Sequence, residues 1–444
     1  MSTLERDDVQ GLVVRGYGRL KGARYLLGTI TDPAAARRWL ADLAVSTGAD
    51  RQADEAVIVA FTAPGLAALG VRDDVLSQFS HEFREGMTED HRRRFLGDEG
   101  TNAPEGWAWG GPGGDPIHVL VLVYSGDEDA VDAAAARRRA ELGERGVHVF
   151  ETLTTAPLSD REPFGFRDGL SQPYLAGEQE GAARDAVQLG EVVLGYPNEY
   201  GRLTPRPLVE GAADALPADP GGSGRGDLGR NGTYLVLRSL EQDVDGFHAY
   251  CAPATGDDCA RQHLEAKLVG RWPDGTSLAL APEGERPELA SQNDFGYFET
   301  DRHGLGCPIG AHVRRANPRD TLDPAPGTDR SIAVNKRHRL LRRGRNYGAP
   351  GGAQGIHFIA LGANLSRQFE FIQHSWLNDP SFNGMQAQGD PLLGSDPNAR
   401  VFVMQRSPVR ERHVDLPQFV RVRGGAYFFV PGVRALRFLA GAPD

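Results

Sequence analysis

Residues Ile117–Tyr124 read IHVLVLVY, an apolar run of strand length. Asp127–Glu144 follows, rich in Ala and Arg, and reads as a helix; Val147–Thr152 is the next strand. Upstream, Ala56–Phe61 (AVIVAF) reads as a buried strand, and Pro64-Gly65 opens a short helix. Further back, Tyr25–Ile30 is a strand. Asp32 then caps a helix through Ala34 to Ala44, with Trp39, Leu40 and Leu43 on one face. Val9–Val14, ahead of a glycine-rich patch at Gly16–Gly18, completes the set as another strand. The order is strand, strand, helix, strand, strand, helix, strand. It predicts an α+β domain, with helices on one face of an antiparallel sheet.

Downstream the pattern stops and returns. Leu175–Arg230, with ADPGGSGRGDLGR inside it, is rich in Gly, Pro, Asp and Ala and weakly periodic. It reads as a loop region between two domains, or as an insertion over a site. Thr233–Arg238 (TYLVLR) is then a strand, Val244–Ala260 a helix, Gly355–Leu361 (GIHFIAL) a strand and Ser366–Trp376 a helix. Tyr427–Val430 is a late strand and Gly432–Ala440 a closing helix. The chain divides into an N-terminal domain at 1–174, a loop-rich linker at 175–230 and a C-terminal domain at 231–444.

A chain of 444 residues suits about two domains. Lys+Arg 49 against Asp+Glu 60 gives a formal charge of −11, which argues against nucleic acid as a partner. Cys251, Cys259 and Cys307 form no C-x-x-C pair, and their odd, low number suggests reduced thiols. With neither a secretory signal nor a membrane-length apolar run in the sequence, a cytoplasmic protein without a membrane partner is expected. The high content of glycine (56) and proline (29) points to long ordered loops, which in compact enzymes often line a site.

Three segments carry candidate chemistry. His312 lies in CPIGAHVRRANPRD, among Arg314, Arg315 and Arg319. A neutral imidazole there suits axial ligation of haem iron, with the arginines near the haem propionates; the alternative is a surface histidine in a basic loop. Asp168 lies in EPFGFRDGLSQP, between Gly165 and Gly169 and beside Phe164 and Phe166. In an apolar pocket its pKa would rise, suiting it to shuttle a proton; the alternative is an ordinary Asp-Gly turn. Arg342 lies in HRLLRRGRNYG, thirty residues after His312. Its fixed charge would stabilise a breaking peroxide bond; the alternative is one more exposed arginine beside Arg337, Arg339, Arg343 and Arg345.

Together these segments resemble the dye-decolourising peroxidases. GFRDG matches the family's G-x-x-D-G motif, HVRRANPRD its proximal-histidine segment, and LLRRGRNYG its distal-arginine segment. GIHFIAL is similar to the strand that brings a Phe over the haem. Further matching stretches run from VQGLVVRGYG at the N-terminus to FVRVRGGAYFFVPGVRAL at the C-terminus, in order over most of the chain. The pattern is closest to the longer-chain branch of the family.

The resemblance implies two ferredoxin-like domains and one haem b per chain, held mainly by the C-terminal domain. It implies His312 as the proximal iron ligand, Asp168 as the distal acid/base and Arg342 as the distal arginine, with Gly169 beside them. Phe358 and Ile356 would line the haem from one strand face, and alternation turns His357 between them away. Asp390, in GDPLLGSDP, is the candidate carboxylate behind His312. Expected partners are hydrogen peroxide and aromatic or dye-like reductants, with Mn(II) a further option. A haem-handling protein without catalysis is the competing reading. Trp107 and Trp109, in GWAWGGPGG, are expected to be exposed, as a surface electron relay would require.

Overall fold

The computed structural model describes residues 3–50, 54–253 and 255–441. The first half holds β1 (Gly22–Ile30), β2 (Glu55–Phe61), β3 (Val119–Ser125) and β4 (Val147–Thr154). The second holds β5 (Thr233–Gln242), β6 (Leu341–Arg342), β7 (Arg345–Tyr347), β8 (Gly355–Gly362) and β9 (Val420–Val430). They form one nine-stranded sheet, in the order β6–β8–β5–β9–β2–β3–β1–β4, with β7 also paired to β8. Neighbours in it are antiparallel. Each half has the ferredoxin-like order of second, third, first and fourth strand, with β6 and β7 counting as one interrupted strand beside β8. The halves meet where Phe429 of β9 stands opposite Phe61 of β2.

Alternation gives the sheet two buried faces. Leu27, Ile58, Leu120 and Leu122 of the first half share one core with Leu235, Leu237, Ile359 and Phe428 of the second. Leu26, Val57, Val59 and Val121 point the other way, into a core with helices α1 (Pro33–Asp42) and α2 (Glu128–Glu144). Burial on both faces explains why these strands read as unbroken apolar runs. Fully burying each such side chain stabilises the fold by about 1.5–3 kcal/mol.

Local chemistry sets the helix starts. The Asp32 carboxylate accepts from the Ala35 amide at 3.0 Å, with Pro33 in the first turn. Asp127 accepts from Ala130 at 2.9 Å. Val131, Ala134, Ala135 and Leu142 then form the buried stripe of α2.

Three sequence expectations need correction. Val9–Val14 forms no strand: Gly11–Val13 is a single 3₁₀ turn, and the Gln10 amide bonds the carbonyls of Val59 and Pro431. Val9, Leu12 and Val13 are buried and pairing is limited to a single bridge between Gln10 and Thr47, so apolar content there mainly reflects packing. The helix expected over Val244–Ala260 is two, α3 (Val244–Cys251) and α4 (Asp258–Val269). Pro253 stands in the break, where it could not continue the backbone hydrogen bonding. Strand β9 begins at Val420, well before Tyr427. The expected helix after β8 is present as π-helical turns, Ser366–Glu370 and Ile372–Asn378.

Candidate active site

The outer face of the second half is not closed as the first is. It lines a cavity of about 550 Å³ with Arg238, Leu240 and Gln242 of β5, Ile356 and Phe358 of β8, and Val420 and Val422 of β9. The π-helical turns add Phe369, Ile372, Gln373 and Leu377; such wide turns cluster at functional sites. Asp168, Gly169, His312 and Arg342 line the same cavity. The structure therefore gathers Asp168, Gly169, His312, Arg342, Ile356 and Phe358 around one cavity, with Asp390 directly behind His312.

His312 opens the short helix α5 (His312–Ala316). Its Nδ1 lies 3.0 Å from Asp390 Oδ2. The Asp390 side chain is fully buried, and Oδ1 accepts from the amides of Leu392 (3.0 Å) and Leu393 (2.8 Å). Burial alone would raise this carboxyl. His312, Arg315 and the Leu393 amide outweigh burial and hold it below the ordinary aspartate value. A carboxylate on Nδ1 fixes the tautomer that leaves Nε2 free as a ligand.

Arg342 reaches the cavity by register. It pairs with Ala360 of β8, two residues beyond Phe358 and on the same face. Arg343 and Arg345, one and three residues on, take the other face. There Arg343 bonds the carbonyls of Leu12 and Val13, and Arg345 lies 5.0 Å over the Tyr124 ring. Arg342 Nη2 donates to the Leu170 carbonyl at 2.7 Å, and its amide to Gln172 Oε1 at 3.1 Å. Burial lowers its pKa, and the nearby Asp168 carboxylate partly restores it; a guanidinium remains charged throughout.

Asp168 does not sit enclosed between phenylalanines. Phe164 and Phe166 turn into a neighbouring core, Phe164 packing at a tilt with its ring centre 4.5 Å from that of Phe247, while Asp168 stands exposed toward the cavity. Its Oδ1 accepts from the Gly169 amide at 2.6 Å. Gly169 has φ +76°, a conformation that favours glycine. His357 faces away from the cavity. It is buried, bonded to Ser239 Oγ at 3.0 Å and the Thr154 carbonyl at 3.1 Å, and stacked on Tyr347.

The arginines beside His312 are used differently from expectation. Arg314 is buried against Asp301 and the Cys307 carbonyl. Arg315 donates to four backbone carbonyls and is pulled down to about 10 by burial. Neither faces the cavity, because both lie on the buried side of α5. Arg319 does line it, and with it Arg271, which the sequence reading missed. Both guanidiniums bond Asn293 Oδ1; among the described residues neither has a carboxylate partner and Arg319 Nε has no partner at all. Nothing in GRWPDG at 270–275 distinguishes Arg271 by pattern. Trp109 is buried, donating to Ser239 Oγ, and Trp107 is half-buried, donating to the Asn102 carbonyl. Neither is the exposed residue expected, because both close onto the inner strands of the second half.

These features fit a haem. The walls are largely apolar, one imidazole has a free nitrogen, and two unneutralised arginines suit a pair of carboxylates. Residues 9–156 match the family model described as the DyP dimeric alpha+beta barrel domain. The chain is 28% identical to a dye-decolorizing peroxidase of Exidia glandulosa, over 98% of this chain and 87% of that one. It is 30% identical to a multifunctional dye peroxidase of Amycolatopsis, over 86% and 81%. A solved single-site variant of the decolorizing peroxidase of Auricularia auricula-judae superposes with a TM-score of 0.80 at 25% identity, covering 99% of this chain and all of that one. With the strand order, the cavity and near full-length similarity in agreement, the chain belongs to the dye-decolourising peroxidase family.

Proposed function

We propose that the protein is a haem-dependent peroxidase that reduces hydrogen peroxide and oxidises aromatic or dye-like donors in one-electron steps. The observation that carries this reading is a single cavity holding a carboxylate-anchored His312 together with Asp168 and Arg342. One haem b per chain is the proposed cofactor. It supplies the redox-active iron that no side chain here provides.

His312 would hold the iron through Nε2, and Asp390 keeps Nδ1 as the donor. Arg271 and Arg319 would hold the haem carboxylates. Asp168 accepts a proton from one peroxide oxygen and returns it to the other, which leaves as water. Arg342 places a fixed positive charge where negative charge develops as the O–O bond breaks. Ile356 and Phe358 exclude water from the apolar wall. One hydrogen peroxide and two donor hydrogens yield two waters and two donor radicals. Three unpaired cysteines fit a reducing compartment, and the cytoplasm is the proposed location.

The test is a peroxide titration of the haem-loaded protein with an anthraquinone dye as donor. Dye oxidation should be stoichiometric with peroxide. Asp168→Asn and Arg342→Leu should retain the Soret band while losing at least about 10²-fold in kcat/KM for peroxide. Haem bleaching without dye turnover would refute the enzyme reading in favour of a haem-handling protein.

A further inference from the structure

The Asp168 loop is stapled by a half-buried carboxylate at the cavity wall, Glu162, to which the catalytic reading gives no role. Asp160 and Arg161 run beside Arg167 and Asp168: the Asp168 amide donates to the Asp160 carbonyl at 2.8 Å, and Arg161 bridges to Arg167. The turn between them, Glu162–Phe166, closes on the Glu162 carboxylate. Oε1 accepts from the Phe166 amide at 2.9 Å and Oε2 from the Phe164 amide at 3.1 Å. Oε2 also accepts from Gln242 Nε2 at 2.8 Å. Gln242 is the last residue of β5, on the same strand face as Arg238 and Leu240, which floor the cavity. One carboxylate thus ties the loop carrying Asp168 to the sheet that lines the site.

We propose that Glu162 is a positioning residue for the peroxide reaction, setting the place of Asp168 through the Phe164 and Phe166 amides and Gln242. The inference rests on Asp168 being the proton-transfer group. Three features support it. Among the described residues the carboxylate's three hydrogen bonds all go to the loop or the sheet and none to a cation, so it is not half of a structural ion pair. Burial raises its pKa and the neighbouring Asp168 charge adds to the rise, while those three hydrogen bonds oppose it. Phe164 and Phe166, whose amides it holds, are the residues whose rings anchor the turn in the neighbouring core. Without Glu162 the loop keeps that apolar anchor and loses the link to Gln242. The expected result is a folded protein with a displaced Asp168.

The experiment compares wild type, Glu162→Gln, Gln242→Leu, Asp168→Asn and the Glu162→Gln/Asp168→Asn double variant, all haem-loaded. Two readouts are used: the association rate of cyanide with the ferric protein, which needs a base to take the proton of HCN, and kcat/KM for peroxide. Glu162→Gln cannot accept both loop amides and the Gln242 amide in the same way. It should slow both rates about ten- to a hundred-fold, as a displacement of the order of 1 Å does. The Soret intensity and the KM for the reducing dye should be unchanged. Gln242→Leu should give a smaller loss in the same direction. In the Asp168→Asn background, Glu162→Gln should add nothing, because the group it positions is gone.

Equal slowing by Glu162→Gln in both backgrounds overturns the proposal, as does wild-type cyanide association in Glu162→Gln. Should Glu162→Gln fold poorly, Gln242→Leu and its double variant with Asp168→Asn carry the same test. If Asp168→Asn itself leaves both rates unchanged, it is the assignment of Asp168 that fails.

Discussion

The two half-sheets share a strand order and differ in what covers their outer faces. Over the first half, α1 and α2 lie directly on Leu26, Val57, Val59 and Val121, and the space is filled. Over the second half, the corresponding surface carries Arg238, Gln242, Ile356 and Phe358 around a cavity of about 550 Å³. The fold has thus used one copy of its topology for stability and the other for a site. A cavity of this size lacks the dispersion contacts that fill a core, so the second half should depend on its ligand and the first should not.

The largest expected effect is on ligand retention. His312→Ala should abolish the haem Soret band, while amide exchange in β1–β4 stays as in wild type. Faster exchange across β1–β4 would break the division of labour. In the haem-free protein, Leu26→Ala should lower stability by about 2–5 kcal/mol, as core truncations do. Phe358→Ala should cost only about 1 kcal/mol there, because its ring faces the cavity; urea unfolding of the two variants checks the contrast. Asp390→Asn, which removes the charge behind His312, should weaken haem affinity about 10–100-fold, measured by haem transfer to an acceptor protein.

The smallest effect concerns the joint between the halves. His357 of the second half bonds the Thr154 carbonyl of the first. Burial lowers its pKa to about 4, with the Thr154 bond opposing, against an ordinary value of 6.5. The unfolded chain therefore takes up a proton below about pH 6.5, which the folded protein refuses until about pH 4. Stability falls as pH drops through that window, by at most about 1.4 kcal/mol per pH unit. His357→Gln should flatten this slope in urea titrations at pH 4–7. An unchanged slope would show that this joint does not set the acid limit.

Much of this was legible in one dimension. The runs IHVLVLVY and AVIVAF predicted strands because burial on both faces demands continuous apolar residues. Asp32 marked a helix start because a capping carboxylate acts within three residues. Asp168, His312 and Arg342 were picked out by their flanking motifs and Phe358 by the resemblance of its strand to the family's, with Ile356 following from period-two alternation.

Other features depended on contacts between distant segments. Arg314, Arg315 and Arg319 stand within seven residues of His312, yet only Arg319 meets the cavity, since Asp301 and the carbonyls around 376–388 claim the first two. Arg271 carried no pattern, because its role follows from where a loop lies. Glu162 stood first in EPFGFRDG without a visible purpose; only Gln242, eighty residues away, reveals it. The sequence by itself determined most of the strands, the Asp32 cap and the candidate trio Asp168, His312 and Arg342, since periodicity, capping and motif chemistry act locally. The tertiary structure alone decided which face was left open, which arginines stayed uncompensated and what holds Asp168 in place. Burial and hydrogen-bond satisfaction are properties of the assembled surroundings.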